Sequence, residues 1–199
     1  FDEDQTSNIL TLSATDPDEL DALTYSIIGG DQITATQDGA NITFTAAQHF
    51  NGTEAFTVSV SDEEYTDSQI MSVTVNPIND SPELSSILDQ SMSEGGTKVV
   101  LLSANDVDED ILTYDMTTGT NIIREIYGST VTFSVSDPNW IGSESFTASV
   151  TDDLDTDTQT FVVTVTNVND APVLSTVSNV SFDEDQTSNI LTLSATDPD

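Results

Sequence analysis

Carboxylates are the side chains best placed to do chemistry in this sequence, because they return in register along it. A glutamate recurs at Glu3, Glu94 and Glu184. An Asp-x-Asp follows at Asp16 and Asp18, at Asp106 and Asp108, and at Asp197 and Asp199. A further aspartate stands at Asp62 and Asp152, and an Asn-Asp pair at Asn79-Asp80 and Asn169-Asp170. Aspartate and asparagine also favour turns, which would explain any one Asp-x-Asp. The whole set in register instead offers what a hard cation such as Ca²⁺ requires, about six to eight oxygen ligands. The carboxylate pair of a glycosidase fits worse, since a catalytic pair is one site and these acids repeat.

Such repetition has its source in the organisation of the chain. FDEDQTSNILTLSATDPD fills residues 1–18 and returns letter for letter at 182–199. An identical stretch at that distance marks a tandem array, of which this chain is expected to be an interior window. A looser period of about 90 residues lies inside it. HFNGTEAFTVSVSD (49–62) returns as NWIGSESFTASVTD (139–152), and PINDSP (77–82) as VNDAP (168–172). The expected division is a module at 1–80 lacking its first strand, a complete module at 81–170, and the N-terminal part of a third at 171–199.

Period-two alternation of apolar and polar residues sets the class. In the first module it predicts strands at 9–14, 23–28, 41–45, 55–60 and 70–75, divided by breaks such as Gly29-Gly30-Asp31 and Asp62-Glu63-Glu64. In the second it predicts an opening strand at 83–92, then 98–104, 111–116, 120–127, 130–135, 145–150 and 159–166. Seven short antiparallel strands in about 90 residues indicate an all-β, Greek-key sandwich. Phe50 and Trp140, Tyr25 and Tyr114, and Phe56 and Phe146 hold equivalent places, as core layers would. The linkers at 76–82 and 167–172 are short and carry proline, so they should be stiff.

Composition narrows the functions. With 36 acidic residues against 2 basic ones the net charge is −34, which repels nucleic acid and anionic lipid. A hydrophobic share of 36% in spaced strand patterns argues for folded domains rather than disorder. No apolar run approaches the roughly 20 residues that cross a bilayer. Cysteine is absent, and His49 is the only histidine, read as a loop residue without special role. Nucleophile elbows, phosphate-binding glycine loops and zinc-ligand spacings are missing, so no enzyme is expected. Lys98 and Arg124 are the only basic side chains, and the first module has no lysine for a Lys-Asn cross-link. The run Asp106-Val-Asp108-Glu-Asp110 begins like an EF-hand loop but has Ile111 and Thr117 at its sixth and twelfth positions.

SATDPDELDALTYSI (13–27), FNGTEAFTVSVSD (50–62), VTVNPINDSPEL (73–84) and TVTNVNDAPVL (164–174) together resemble the cadherin-like modules of large bacterial surface and secreted proteins. The resemblance implies tandem Ig-like, cadherin-like seven-stranded Greek-key β-sandwiches in an elongated array outside the cell or on its surface. It also implies Ca²⁺ bound between successive modules. By position, Glu3, Asn79, Asp80, Asp106, Asp108 and Asp152 match one junction. Glu94, Asn169, Asp170, Asp197 and Asp199 match the next, and Asp16, Asp18 and Asp62 match a junction with a preceding module. The function implied is a spacer of a filament or adhesin, rigidified by Ca²⁺, with neighbouring modules as partners. The alternative is adhesion to other copies or to surface carbohydrate, with Tyr65 and Tyr127 as recognition residues. The Asp-Arg-Glu motif usual in animal cadherins is absent, and Pro77 or Asn167 replaces a usual linker Asp. Fewer or weaker ions should follow, in the range of about 10⁻⁴ to 10⁻³ M found for extracellular modules.

Overall fold

The computed structural model describes residues 1–18, 22–187 and 190–199. Glu19, Leu20 and Asp21 of the cadherin-like motif lie outside the described residues. The described chain is all-β and divides into two compact units, Phe1–Asp80 and Ser81–Asp199.

In the first unit the strands are β1 (Leu10–Thr11), β2 (Thr24–Gly29), β3 (Ile33–Asp38), β4 (Asn41–Ala46), β5 (Gly52–Ser61) and β6 (Thr66–Val75). They form two antiparallel sheets, β1-β4-β3 and β2-β5-β6. Side chains alternate across each strand, so one face of each sheet turns inward. Ile33, Ile42, Phe44, Phe56, Val73 and Val75 are the buried core. Phe44 meets Phe56 edge-on, with ring centroids 5.2 Å apart, an arrangement that aligns the positive ring edge with the negative face. Phe1–Glu3 runs parallel beside the end of β6, with Asn76 N donating to Phe1 O at 2.8 Å and Glu3 N to Asn76 O at 3.0 Å.

The second unit contains β7 (Glu83–Leu84), β8 (Gln90–Ser93), β9 (Thr97–Leu101), β10 (Ala104–Asn105), β11 (Thr113–Met116), β12 (Ile122–Tyr127), β13 (Thr130–Val135), β14 (Gly142–Thr151) and β15 (Thr156–Thr166). One sheet is β11-β14-β15-β8 and the facing one β12-β13-β9, with β7 and β10 paired apart. Since β9 pairs with β13 and β11 with β14, the chain crosses between sheets in the Greek-key manner. Its core holds Phe133, Phe146 and Phe161, all mutually in contact. A last pair, β16 (Val173–Leu174) and β17 (Ala195–Thr196), has no buried residues.

Three strand expectations need correction. β3, ITATQD, is present where no strand is among those predicted; only Ile33 of it is buried, so its alternation is faint in the sequence. The opening strand at 83–92 is broken in two, β7 and β8. Its second half pairs parallel with β15, so the sandwich is not wholly antiparallel. The break is bridged by side chains: Val162 N donates to Asp89 Oδ1 and Ile87 N to Gln159 Oε1. Of the recurring aromatics, Phe56 and Phe146 are buried. Phe50 and Trp140 instead lie at the core's edge over Gly52 and Gly142.

Glu54 and Glu144, at matching places on β5 and β14, fix the loop that enters the next sheet. Glu54 accepts from the amides of Asp31, Gln32 and Ile33 at 2.8 to 3.0 Å. Glu144 accepts from those of Thr120, Asn121 and Ile122 at 2.8 to 3.1 Å, and from Asn121 Nδ2 at 3.0 Å. The amide of Gln32, followed by that of Asp31, holds the Glu54 carboxyl below the usual range.

Candidate metal centres

Each cluster of carboxylates is placed by a tight turn at a strand end. At the β14–β15 hairpin Asp153 takes a φ of 80°, and Asp152 Oδ1 accepts from Leu154 N at 2.8 Å and Asp155 N at 2.6 Å. Asp152 is buried. After β10, Asp106 Oδ1 accepts from Asp108 N at 2.9 Å and Asp110 N at 3.3 Å. Carboxylate oxygens of Asp106, Asp108 and Asp110 lie within 4.8 Å of one another. Asp106 Oδ2 is buried with no hydrogen-bond partner among the described residues. Desolvation, then the negative charges of Asp106, Asp108 and Asp152, pushes the Asp110 carboxyl up. Carboxylates crowded this closely repel one another unless a cation or protons intervene.

The first unit repeats this construction. Asp16 Oδ1 accepts from Asp18 N at 2.8 Å, and Asp62 Oδ1 from Glu64 N at 2.9 Å and Tyr65 N at 2.6 Å. The Tyr65 amide, then that of Glu64, holds the Asp62 carboxyl below the usual range. Asp16 and Asp62 line one groove. In all these turns the backbone engages the carboxylate through Oδ1.

At its other end the first unit brings Glu3 onto the linker. Glu3 is 4% exposed, its Oε1 accepts from Ile78 N at 2.7 Å, and its Oε2 is buried without a hydrogen-bond partner among the described residues. Asn79 Nδ2 donates to Asp80 O at 3.3 Å. Asp80 Oδ2 sits 2.8 Å from His49 Nδ1, and Asp4 Oδ2 3.3 Å from the same nitrogen. His49 N donates to Asp4 Oδ1 at 3.2 Å. His49, read from sequence as a residue without special role, is thus the link between two acids.

Around the second linker Glu94 Oε1 accepts from Val168 N, as Glu3 does from Ile78. Asp199 Oδ1 accepts from Asn167 Nδ2 at 2.9 Å and its Oδ2 from Asp170 N at 2.7 Å. Asn169 Nδ2 donates to Asp170 O at 2.7 Å, and Asp197 Oδ1 accepts from Asp199 N at 3.4 Å. Carboxylates from both sides of the linker, Glu94 before it and Asp199 after it, therefore hold its backbone or side chains.

The donor set fits a hard divalent cation: nearly all oxygen, with buried acceptor atoms at Glu3 and Asp106 that lack a donor among the described residues. Asp4, His49 and Asp110 were missed as members of these clusters. Asp110 was visible in the run Asp106-Val-Asp108-Glu-Asp110, where the EF-hand pattern diverted attention from it. Asp4 and His49 are joined only by the fold, through φ of 56° and 57° at those two residues.

A two-sheet Greek-key sandwich with acidic turns at its ends defines an Ig-like, cadherin-like module. Residues 1–75 match the family described as Bacterial Ig domain. Mouse protocadherin-24 EC1-3 is similar at 19% identity and a TM-score of 0.55, over 96% of this chain and 69% of that one. Human protocadherin-24 EC1-2 is similar at 19% identity and a TM-score of 0.51, over 81% of this chain and 88% of that one. An endo-fucoidan hydrolase of glycoside hydrolase family 107 matches at 21% identity and a TM-score of 0.35; the match takes in 83% of this chain but only 27% of that protein's length. No curated protein matches the chain in sequence.

Proposed function

We propose that these modules are structural spacers of an extracellular filament or cell-surface adhesin, and that Ca²⁺ held by the recurring carboxylates stiffens the joints between modules. The observation that carries the reading is the pair of buried carboxylate oxygens, Glu3 Oε2 and Asp106 Oδ2, that no donor among the described residues satisfies. Leaving a charged oxygen buried and unpaired costs several kcal/mol, about what a cation contact restores.

Glu3, Asn79, Asp80, Asp106, Asp108 and Asp152 would hold one ion set, with Asp110 added. Glu94, Asn169, Asp170, Asp197 and Asp199 would hold the next, and Asp16, Asp18 and Asp62 a third. Bound Ca²⁺ supplies counter-charge where acids from neighbouring modules meet. The protein's own part is to preorganise the oxygens: backbone amides fix one oxygen of Asp106 and Asp152, which aims the other. The boundaries 1–80, 81–170 and 171–199 are the modules this reading joins. Partners are neighbouring modules, with other copies or surface carbohydrate as the adhesive alternative. For carbohydrate the exposed rings are Tyr65 and Tyr127.

Small-angle X-ray scattering of the chain, titrated from EDTA to millimolar Ca²⁺ with Mg²⁺ as control, tests this. A maximum dimension that lengthens with Ca²⁺ alone, and no longer does so in Asp106→Ala, is the expected result. Profiles indifferent to Ca²⁺ would reduce the carboxylates to turn residues and solvating charge.

A further inference from the structure

Among the described carboxylate clusters one holds a nitrogen ligand. Asp80 Oδ2 lies 2.8 Å and Asp4 Oδ2 3.3 Å from His49 Nδ1, and the three ligand atoms fall within 4.8 Å of one another. The acidic turns are built differently, since their carboxylates engage amides only two to four positions on. Here the fold joins residues 45 and 31 positions apart: Asp4 beyond the bridge of Asp2 to Asn76, His49 in the turn between β4 and β5, and Asp80 on the linker. In the second unit Gly95, Asn139 and Asp170 stand at the matching places. The cluster therefore belongs to the first unit's own sequence and not to the plan that both units share.

A second observation at the same end of the unit calls for positive charge. Glu3, the residue before Asp4, is buried, with Oε1 on the amide of Ile78 and Oε2 lacking any donor among the described residues. Residues 1–80 contain no lysine or arginine, so His49 is the one side chain of the unit able to bring these acids a positive charge. Ca²⁺ takes oxygen ligands and has no use for an imidazole nitrogen, whereas Zn²⁺, Ni²⁺ and Cu²⁺ accept imidazole together with carboxylate. Around tetrahedral Zn²⁺, with bonds of about 2.0–2.2 Å, ligand atoms lie about 3.3 Å apart. His49 Nδ1 and Asp4 Oδ2 already stand at 3.3 Å, and the 2.8 Å to Asp80 Oδ2 needs to open by about half an ångström.

We propose that Asp4, His49 and Asp80 form a site for a borderline divalent transition metal, Zn²⁺ foremost, bound by Nδ1 and the two Oδ2 atoms with a fourth position for water. The proposal goes beyond the Ca²⁺ reading, because it stands on a nitrogen ligand that Ca²⁺ does not use and shares with that reading only Asp80. Its ligands carry two negative charges, which one divalent ion neutralises. Asp80 belongs to the linker, while Asp4 and His49 are held by the body of the unit. The bound metal thus fastens the linker to the unit at a point where the second unit, with Gly95 and Asn139, has no such means.

The test is a titration of the whole chain, without a histidine tag, with ZnCl₂, followed by calorimetry and by nitrogen NMR of the imidazole. With a single histidine in the chain, long-range ¹H–¹⁵N spectra show one ring. Stoichiometric Zn²⁺ should move the Nδ1 resonance, leave Nε2 protonated and saturate the change at one ion per chain. His49→Asn puts the second unit's own residue in place, and asparagine accepts the φ of 57° found there. It should weaken the tightest Zn²⁺ binding by more than about tenfold, since losing even an outer-shell partner costs about 10- to 100-fold. Asp4→Asn, which keeps an acceptor for His49 N, should weaken it as well. Both variants retain every residue assigned above to Ca²⁺, so their scattering response to Ca²⁺ reads that proposal separately. An Nδ1 resonance indifferent to stoichiometric Zn²⁺, or an affinity unchanged in either variant, overturns the zinc site and leaves His49 as an ion-pair partner of the two acids.

Discussion

Glu144→Gln should destabilise the second unit at neutral pH and spare it in acid. The carboxylate accepts four hydrogen bonds: Asn121 N and Asn121 Nδ2 reach Oε1, while Thr120 N and Ile122 N reach Oε2. Glutamine keeps one acceptor and turns an NH₂ group toward two amides, of which that of the buried Ile122 has little access to water. Two lost bonds to a charged acceptor, partly recovered by solvent at Thr120, come to about 2–4 kcal/mol. Burial pushes the Glu144 carboxyl up, but the amides of Asn121, Ile122 and Thr120 and the Asn121 side chain outweigh it and hold the group below its usual range. A pKa lower in the folded chain means the unfolded chain binds the proton more tightly. The stabilisation is therefore complete above the ordinary glutamate value of about 4.3 and is lost as pH falls through the folded value. Urea unfolding followed by Trp140, the only tryptophan and packed on this core, reads the unit directly. Hydrogen exchange at residues 120–122 locates the effect. An unchanged midpoint at neutral pH, or a deficit as large at about pH 2 as at about pH 7, would refute the reasoning.

Gly30→Ala should destabilise the first unit by more than about 2 kcal/mol in thermal melts. Its φ is +82° and an added Cβ would lie 2.1 Å from Ile33 O, whereas Gly39→Ala, at φ +60° with open space around it, should cost only about 1 kcal/mol. Phe133→Ala removes a fully buried ring 4.9 Å from that of Phe146, and should cost about 3–5 kcal/mol in the Trp140-detected transition.

The all-β class was legible because the long strands β5, β6, β14 and β15 alternate plainly, and their cores recur in both units. β3 escaped because four of its six residues face solvent and the alternation is carried by Ile33 and Ala35 alone. The parallel pairing of β8 escaped because direction is set by where a strand lands, and its crossing from β7 is held by Gln159 and Val162, distant in sequence. Glu54 and Glu144 did leave a signal, since FNGTE and WIGSE recur in register. Read against the cadherin pattern that stretch marked a missing metal ligand; in the fold both glutamates serve backbone amides instead. The tie between His49 and Asp80 left no comparable signal, because Asn139 stands where the second module would repeat the histidine.

How a chain with 36 acids and 2 cationic side chains folds at all depends on what each carboxylate faces. Backbone amides supply the positive ends of dipoles that lysine and arginine do not. At Glu54 and Glu144 both oxygens are taken by N–H groups, so these acids are complete within the fold. At Glu3 and Asp106 one oxygen is taken by an amide while the other is buried without a donor among the described residues. That difference separates acids satisfied within the fold from acids left with one unsatisfied oxygen, and it is invisible in composition, where all are equal. It also accounts for the placement of the second kind at turns and linkers. The Asx-type turn at Asp106 spends one oxygen on its own backbone, whereas Glu54 and Glu144, in mid-strand, reach the free amides of a neighbouring loop.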